Sequence, residues 1–248
     1  MTADARPNQP PSRRLGIART VVQHIKTELL KFKIGILFIL LCQVINAQQS
    51  EMSVNQNHYN SDFIADSKLT NEFETKIKSE KEFKLIASPN VDGKISVYIQ
   101  NNTSDTISIS HQDYKIYILQ EAMDENRVWK PIEYWESSDC GNSFGEIKIE
   151  PNGIIETKSI EYAGNFKTKI RFKLSENNKV YYSNAIEGNI NPNKLIMPTD
   201  FSFTWPLAIM ENTGKKAPME LQKKVVFLEP NGMEEFNHFF ENTLSKKN

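Results

Sequence analysis

The sequence predicts an all-β fold: two antiparallel sheets facing one another over residues 82–190, with a short amphipathic helix near the C-terminus. Three observations lead there. Apolar and polar residues alternate with a period of two, turn-forming clusters interrupt the alternation at short intervals, and no helical pattern separates the strands. Successive strand side chains point to opposite faces, so alternation marks a strand with one buried side and one solvated side. Short strands punctuated this often read as an antiparallel sandwich or barrel, whereas a parallel sheet needs crossover helices of roughly 10–15 residues.

The alternation opens with Ile95, Val97 and Ile99 against Ser96, Tyr98 and Gln100. Ile107 and Ile109 continue it, then Ile116 and Ile118. Its clearest stretch runs from Phe166 to Leu174. There Phe166, Thr168, Ile170, Phe172 and Leu174 take one face, and Lys167, Lys169, Arg171 and Lys173 take the other. A helix would scatter those four cations around its circumference. They read as the solvated side of a sheet that discourages edge-to-edge pairing. Between the strands stand Asp92-Gly93, Asn101–Asp105, Asp124–Asn126, Pro151-Asn152-Gly153 and Ser175–Asn178, residues that tolerate positive φ or preset a turn.

The flanks differ. Residues 48–81 are polar without a sustained apolar period and read as a tether with one helical turn around 69–78. Residues 191–248 read as an extension of strands plus a helix packing on the sandwich. Phe201, Phe203 and Trp205 alternate until Pro206 interrupts, and Val225–Leu228 reads as a further strand. Asn231 is placed to cap a helix with Glu234 and Glu235 in its first turn, where acids complement the dipole. Met233, Phe236, Phe240 and Leu244 then recur at helical spacing and define its docking face.

The chain begins with a different kind of segment. Ile34–Cys42 is apolar, preceded by Lys31 and Lys33 and followed by Gln-Val-Ile-Asn-Ala47. A bilayer crossing needs about 20 apolar residues, so this run is too short to span one. A basic start, a short apolar centre and a small residue before a polar stretch resemble a bacterial export signal over residues 30–50. Cleavage is expected after Ala47, leaving Gln48 as the new N-terminus and no transmembrane helix in the mature chain. Residues 1–29 form an atypical N-terminal extension, and initiation near Leu30 is an alternative reading. Arg13-Arg14 lies too far from the apolar run to favour a twin-arginine signal. Cys42 offers a rival, lipoprotein anchoring, although Leu40 and Leu41 replace the small residues that processing prefers. The localisation expected is periplasmic or extracellular.

The corner Ile149-Glu150-Pro151-Asn152-Gly153, followed by Tyr162-Ala163-Gly164-Asn165-Phe166, resembles the penultimate corner of immunoglobulin-like and fibronectin-III-like sandwiches. The resemblance covers residues 83–190. It implies that Tyr162 acts as a tyrosine-corner residue whose hydroxyl bonds back to the preceding loop. The Cys…Trp…Cys signature of antibody-type domains is absent. Similar folds serve adhesins, enzyme accessory modules and proteinase inhibitors, so the fold alone does not choose among functions.

Thirty Lys and Arg nearly balance 31 Asp and Glu. The leader 1–47 carries a net +5 of this, leaving residues 48–248 at net −6. An acidic body disfavours nucleic acid, whose binding depends on cations neutralising phosphates. Beyond Cys42 only Cys140 remains, which makes an intramolecular disulfide impossible after cleavage.

The chemistry-bearing candidates are few. Gly141-Asn142-Ser143-Phe144-Gly145 matches the nucleophile elbow of hydrolases, but the following residues alternate like a strand where that motif needs a helix. Its partners could only be Asp200 and His238. Cys140 shares the loop with Asp139, which disfavours a thiolate. His111 with Asp113, and Glu234 with His238, form pairs that lack a third zinc ligand. No dense oxygen loop for calcium is present. Neither metal nor cofactor is expected. The segment Trp129–Trp135 is the most suggestive: Pro131 makes it an edge or bulged strand, and Trp129, Tyr134 and Trp135 would give an aromatic surface for a protein or polysaccharide partner. Burial in the core is the competing reading for each Trp. The function expected is an exported, non-enzymatic β-sandwich binding an envelope or extracellular macromolecule. The alternatives are a hydrolase using Ser143 or Cys140, or a proteinase-inhibitor-like module.

Overall fold

The computed structural model describes residues 50–245 apart from 77–80, 91 and 139. The predicted leader 1–47, with Cys42, and the expected influence of Asp139 lie outside the described residues. From Ser50 onward the chain belongs to one unit. In chain order it contains β1 (Ser53–Val54), β2 (His58–Asn60), α1 (Ser67–Lys76), β3 (Phe83–Pro89), β4 (Lys94–Asn101), β5 (Ile107–Gln112), β6 (Lys115–Ile116) and β7 (Ile118–Met123). Next come β8 (Trp129–Pro131), β9 (Glu133–Tyr134), β10 (Phe144–Ile149), β11 (Ile154–Ile160), β12 (Phe166–Glu176), β13 (Lys179–Tyr182) and β14 (Ile186–Ile190). Three helices follow: α2 (Leu207–Asn212), α3 (Met219–Val226) and α4 (Gly232–Ser245).

The fold is mostly β, as the alternation predicts. One sheet has the order β2-β11-β4-β3 and another β13-β12-β7-β8, with β14 also pairing β12. A third runs β10-β5-β6, and all these pairs are antiparallel. The short pair β1–β9 is parallel. The long strand β12 holds its sheet together: Phe166–Ile170 pair β14, Ile170–Leu174 pair β7 and Lys173–Glu176 pair β13. Asn177 and Asn178 close the β12–β13 hairpin with φ of 50° and 58°. Positive φ at both central residues matches the right-handed twist of the flanking strands, and Asn adopts it more readily than most residues.

Ile95, Val97 and Ile99 of β4 share one apolar cluster with Ile118 of β7 and with Ile170, Phe172 and Leu174 of β12. Each such side chain contributes about 1.5–3 kcal/mol on burial. Leu119, next to Ile118, belongs instead to a second cluster with Trp135, Phe201, Leu207, Met210, Val226, Phe227 and Phe236. Period-two alternation thus lets β7 serve both a sheet core and the helical region. Gly164 is needed at its corner, because a Cβ there would come within 1.9 Å of the Ile190 carbonyl carbon.

Four expectations are corrected. Residues 48–81 are not a tether: β1, β2 and α1 lie within them, and Asn55 and Asn57 are buried at 2% and 1% exposure. Their side chains bond inward to the Ile116 and Ile118 carbonyls, which lets a polar sequence enter the interior. Ser96 and Gln100 are buried too. Ser96 pairs with Asn90 and Glu156, and Phe63 lies 5.4 Å from the neighbouring Tyr98 ring, so β4 is covered on both faces. The cation row is only partly solvated: Lys173 is buried and paired with Glu229 at 2.7 Å, and Arg171 is paired with Glu121.

The C-terminal extension holds no strand among the described residues. Val225 and Val226 end α3 instead of forming one. The preceding Met-Glu-Leu-Gln-Lys-Lys are strong helix formers, and Glu220 with Lys223 and Lys224 match the helix dipole. The expected terminal helix is present as α4, starting just after Asn231. On it Phe236 is fully buried, whereas Met233 and Leu244 are exposed.

Candidate functional site

A cleft of about 520 Å³ opens between the β-strands and the C-terminal helices. Tyr117, Trp135, Phe144 and Trp205 supply its aromatic walls. The β12–β13 hairpin brings Glu176, Asn177 and Asn178 to one side, and α3 and α4 bring Lys224, Met233, Glu234 and Asn237 to the other. The sides are tied where they meet. Asn231 donates its backbone N–H to Asn178 Oδ1 at 3.1 Å, Trp135 donates its backbone N–H to the Val226 carbonyl at 2.7 Å, and Lys173 reaches across to Glu229.

The polar groups of the cleft are unevenly satisfied. Glu176 is buried and accepts hydrogen bonds from the Ser110 N–H and hydroxyl, each at 3.0 Å. Burial pushes its carboxyl above the ordinary carboxylate range, against the pull of those two donors. Burial, with Glu176 and Asp113 nearby, pushes the Tyr117 hydroxyl up to about 12. Lys224 is engaged by Glu235, and Glu229 by Lys173. Glu176 and Glu234 have no cation partner among the described residues, so the lining leans acidic. The Nε1 donors of Trp135 and Trp205 are buried and have no acceptor among the described residues. An unsatisfied buried donor costs about 1–3 kcal/mol and calls for an explanation.

A second polar cluster lies elsewhere in the same unit and is closed. Glu133 is fully buried, and its two oxygens accept from Asn55 Nδ2, the Gln120 N–H, Gln120 Nε2 and the Tyr162 hydroxyl. Burial raises its pKa, while the donors and Lys194 oppose that rise. Tyr162 is therefore bonded to Glu133 and not to the preceding loop, as the tyrosine-corner resemblance implied. The Lys194 ammonium sits 3.8 Å from the centre of the Tyr162 ring.

The predicted aromatic surface is not one platform. Trp129 lies on edge strand β8, with the Arg171 guanidinium 4.5 Å from its ring centre and 3.9 Å from that of Tyr182. Tyr134 packs 5.7 Å from Phe203 and 6.1 Å from Phe201. Trp135 is 4% exposed and lies 4.7 Å from Tyr117, which corrects its reading as an exposed edge residue: it is a core residue that forms one wall of the cleft.

The reactive candidates are not assembled. Ser143 ends a short 3-10 turn, Gly141–Ser143, that leads into a strand, and its hydroxyl pairs with that of Ser138 at 3.0 Å. Cys140 is exposed in the same loop. His111 stacks on Tyr114 at 5.5 Å, and His238 pairs with Asn242 on α4. Asp200 pairs with Lys216 and Ser202. No group of three metal-ligating side chains converges among the described residues.

No protein-family model matches the chain, and a search of the curated proteins finds no match to it. The cleft is thus read from its own groups. Sequence reasoning found Trp135 but missed Tyr117, Trp205 and Asn237, because they are far apart in the chain and carry no motif. The Glu176-Asn177-Asn178 turn was visible only as a turn.

Proposed function

We propose that this chain is an exported, non-enzymatic binding module on an immunoglobulin-like β-sandwich, receiving an envelope or extracellular macromolecule, protein or glycan, in the cleft between its strands and C-terminal helices. The carrying observation is the contrast within that cleft: aromatic walls beside polar groups that have no partner among the described residues. A concave site lined by apolar rings with a few convergent polar groups suits ligand binding. The sandwich reading is supported by the single apolar cluster to which β4 and β12 both contribute. The non-enzymatic reading is supported by Ser143 being bonded to Ser138 rather than to a base.

Export is supported by the sequence of the leader and by the position of the folded unit. That unit begins at Ser50, so a cut after Ala47 leaves only Gln48 and Gln49 ahead of it. Among the described residues no helix is long and apolar enough to cross a membrane. The intact mass of the protein recovered from a secreting bacterial host tests this. A chain starting at Gln48 is expected; a lipid-bearing start at Cys42 would make the protein an anchored one. For binding, the immobilised protein is incubated with solubilised envelope material. Retention is expected to fall for Trp205→Ala and Asn237→Ala and to persist for Trp129→Ala. Equal retention by all three variants would end the cleft reading.

A further inference from the structure

We infer that the cleft takes a short run of uncharged sugar rings, an inference that rests on the binding-module reading and narrows it to one ligand class. Ring faces come first. Tyr117 and Trp135 lie 4.7 Å apart in one wall, Trp205 is half-buried at the cleft, and Phe144 is 48% exposed. Flat rings offer large contact area at little entropic cost, and the C–H faces of a pyranose fit against them.

Hydrogen-bonding capacity comes second. The indole N–H groups of Trp135 and Trp205 are enclosed, so the groups within a ligand's reach decide. The side-chain amides of Asn177 and Asn237 offer both donors and acceptors, and Glu176 and Glu234 offer acceptors. A sugar hydroxyl donates and accepts at once, so one ligand class can serve both kinds of group. A wholly apolar ligand would strip water from these groups and return nothing.

Charge decides among the remaining ligands. Lys224 is already held by Glu235 and Lys173 by Glu229, while Glu176 and Glu234 line the cleft without a cation partner among the described residues. An anionic polymer would meet uncompensated carboxylates there. An extended peptide is disfavoured on other grounds. Such peptides gain affinity from main-chain bonds to a free sheet edge, whereas the polar groups offered here are side chains of a hairpin turn and of two helices.

The test titrates the protein recovered from expression of the whole chain with cello-oligosaccharides, chito-oligosaccharides and oligogalacturonate, following tryptophan fluorescence. At least one uncharged series is expected to give a saturable change, with oligogalacturonate at least about tenfold weaker. Asn237→Ala and Phe144→Ala, both at exposed positions where folding is not at risk, are expected to weaken it by about tenfold or more, and Trp129→Ala to leave it intact. Silence from both uncharged series, equal binding of oligogalacturonate, or indifference to the two cleft variants overturns the inference. Retention on solubilised envelope material separates the two levels. If retention depends on Asn237 while no sugar binds, the ligand class falls and the binding module stands; if neither occurs, both fall.

Discussion

Glu133 and Glu176 are both carboxylates buried against the sheets, and they end differently. Glu133 is wholly enclosed, with donors from β1–β2, β7 and the Tyr162 corner saturating both oxygens. Among the described residues Glu176 receives donors only from Ser110, and it borders a cleft where the Asn177 and Asn237 amides have no partner. Low dielectric strengthens a satisfied network and penalises an unsatisfied one. The first region therefore fixes one arrangement of strands, and the second holds unmet hydrogen-bonding capacity that a ligand can use.

The comparison breaks first at Glu133. Glu133→Ala takes an acceptor from four donors, of which Asn55 Nδ2 and Gln120 Nε2 keep others, and is expected to cost about 3–5 kcal/mol, measured by urea unfolding at neutral pH. A loss below about 1 kcal/mol would mean that the network is not cooperative. Asn57→Ala comes next, at about 1–3 kcal/mol, because it strips partners from the Ile116 N–H and carbonyl and from the Thr157 hydroxyl. Were residues 50–60 a tether in solution, that variant would be neutral.

A smaller effect tests the open region through pH. Burial raises the Glu176 pKa above its unfolded value, so the folded chain holds that proton to higher pH than the unfolded chain does. Its contribution to stability is complete below about pH 4.3 and is lost as pH rises through the folded value. Gln cannot ionise. The stability of Glu176→Gln relative to the parent is therefore expected to increase from pH 4 to pH 8, as read from denaturant midpoints; a flat difference would remove burial as the cause. Smallest of all, Asn177→Gly should change stability by less than about 0.5 kcal/mol while weakening ligand binding, because glycine keeps the turn conformation with φ of 50° and removes only the amide.

Strand β12 was legible because its alternation is strict over nine residues, and the structure buries Ile170, Phe172 and Leu174 as expected. Strands β1 and β2 were not, because the residues that carry this segment inward are Asn55 and Asn57 between them, and hydropathy cannot mark a side chain that is buried through hydrogen bonds. Val225 and Val226 misled in the opposite sense: β-branched residues read as strand, yet helix formers on their N-terminal side and burial against Phe201 and Phe236 outweighed that preference. Lys173 was read as solvated since a cation in an alternating row usually is, and only the return of the chain at Glu229 covers it. The cleft depends on residues from Ser110 to Asn237 meeting in space, a proximity that no local pattern carries.

The most direct measurement of the cleft's role is a ¹H–¹⁵N spectrum of the three tryptophan indoles during titration with a bound oligosaccharide. The Trp135 and Trp205 N–H resonances are expected to move in step with saturation as a ligand covers the cleft wall they belong to, and the Trp129 resonance, beside Arg171 on an edge strand, to stay in place. Movement of Trp129 alone, or no movement at Trp135 and Trp205 while the ligand binds, would contradict the account.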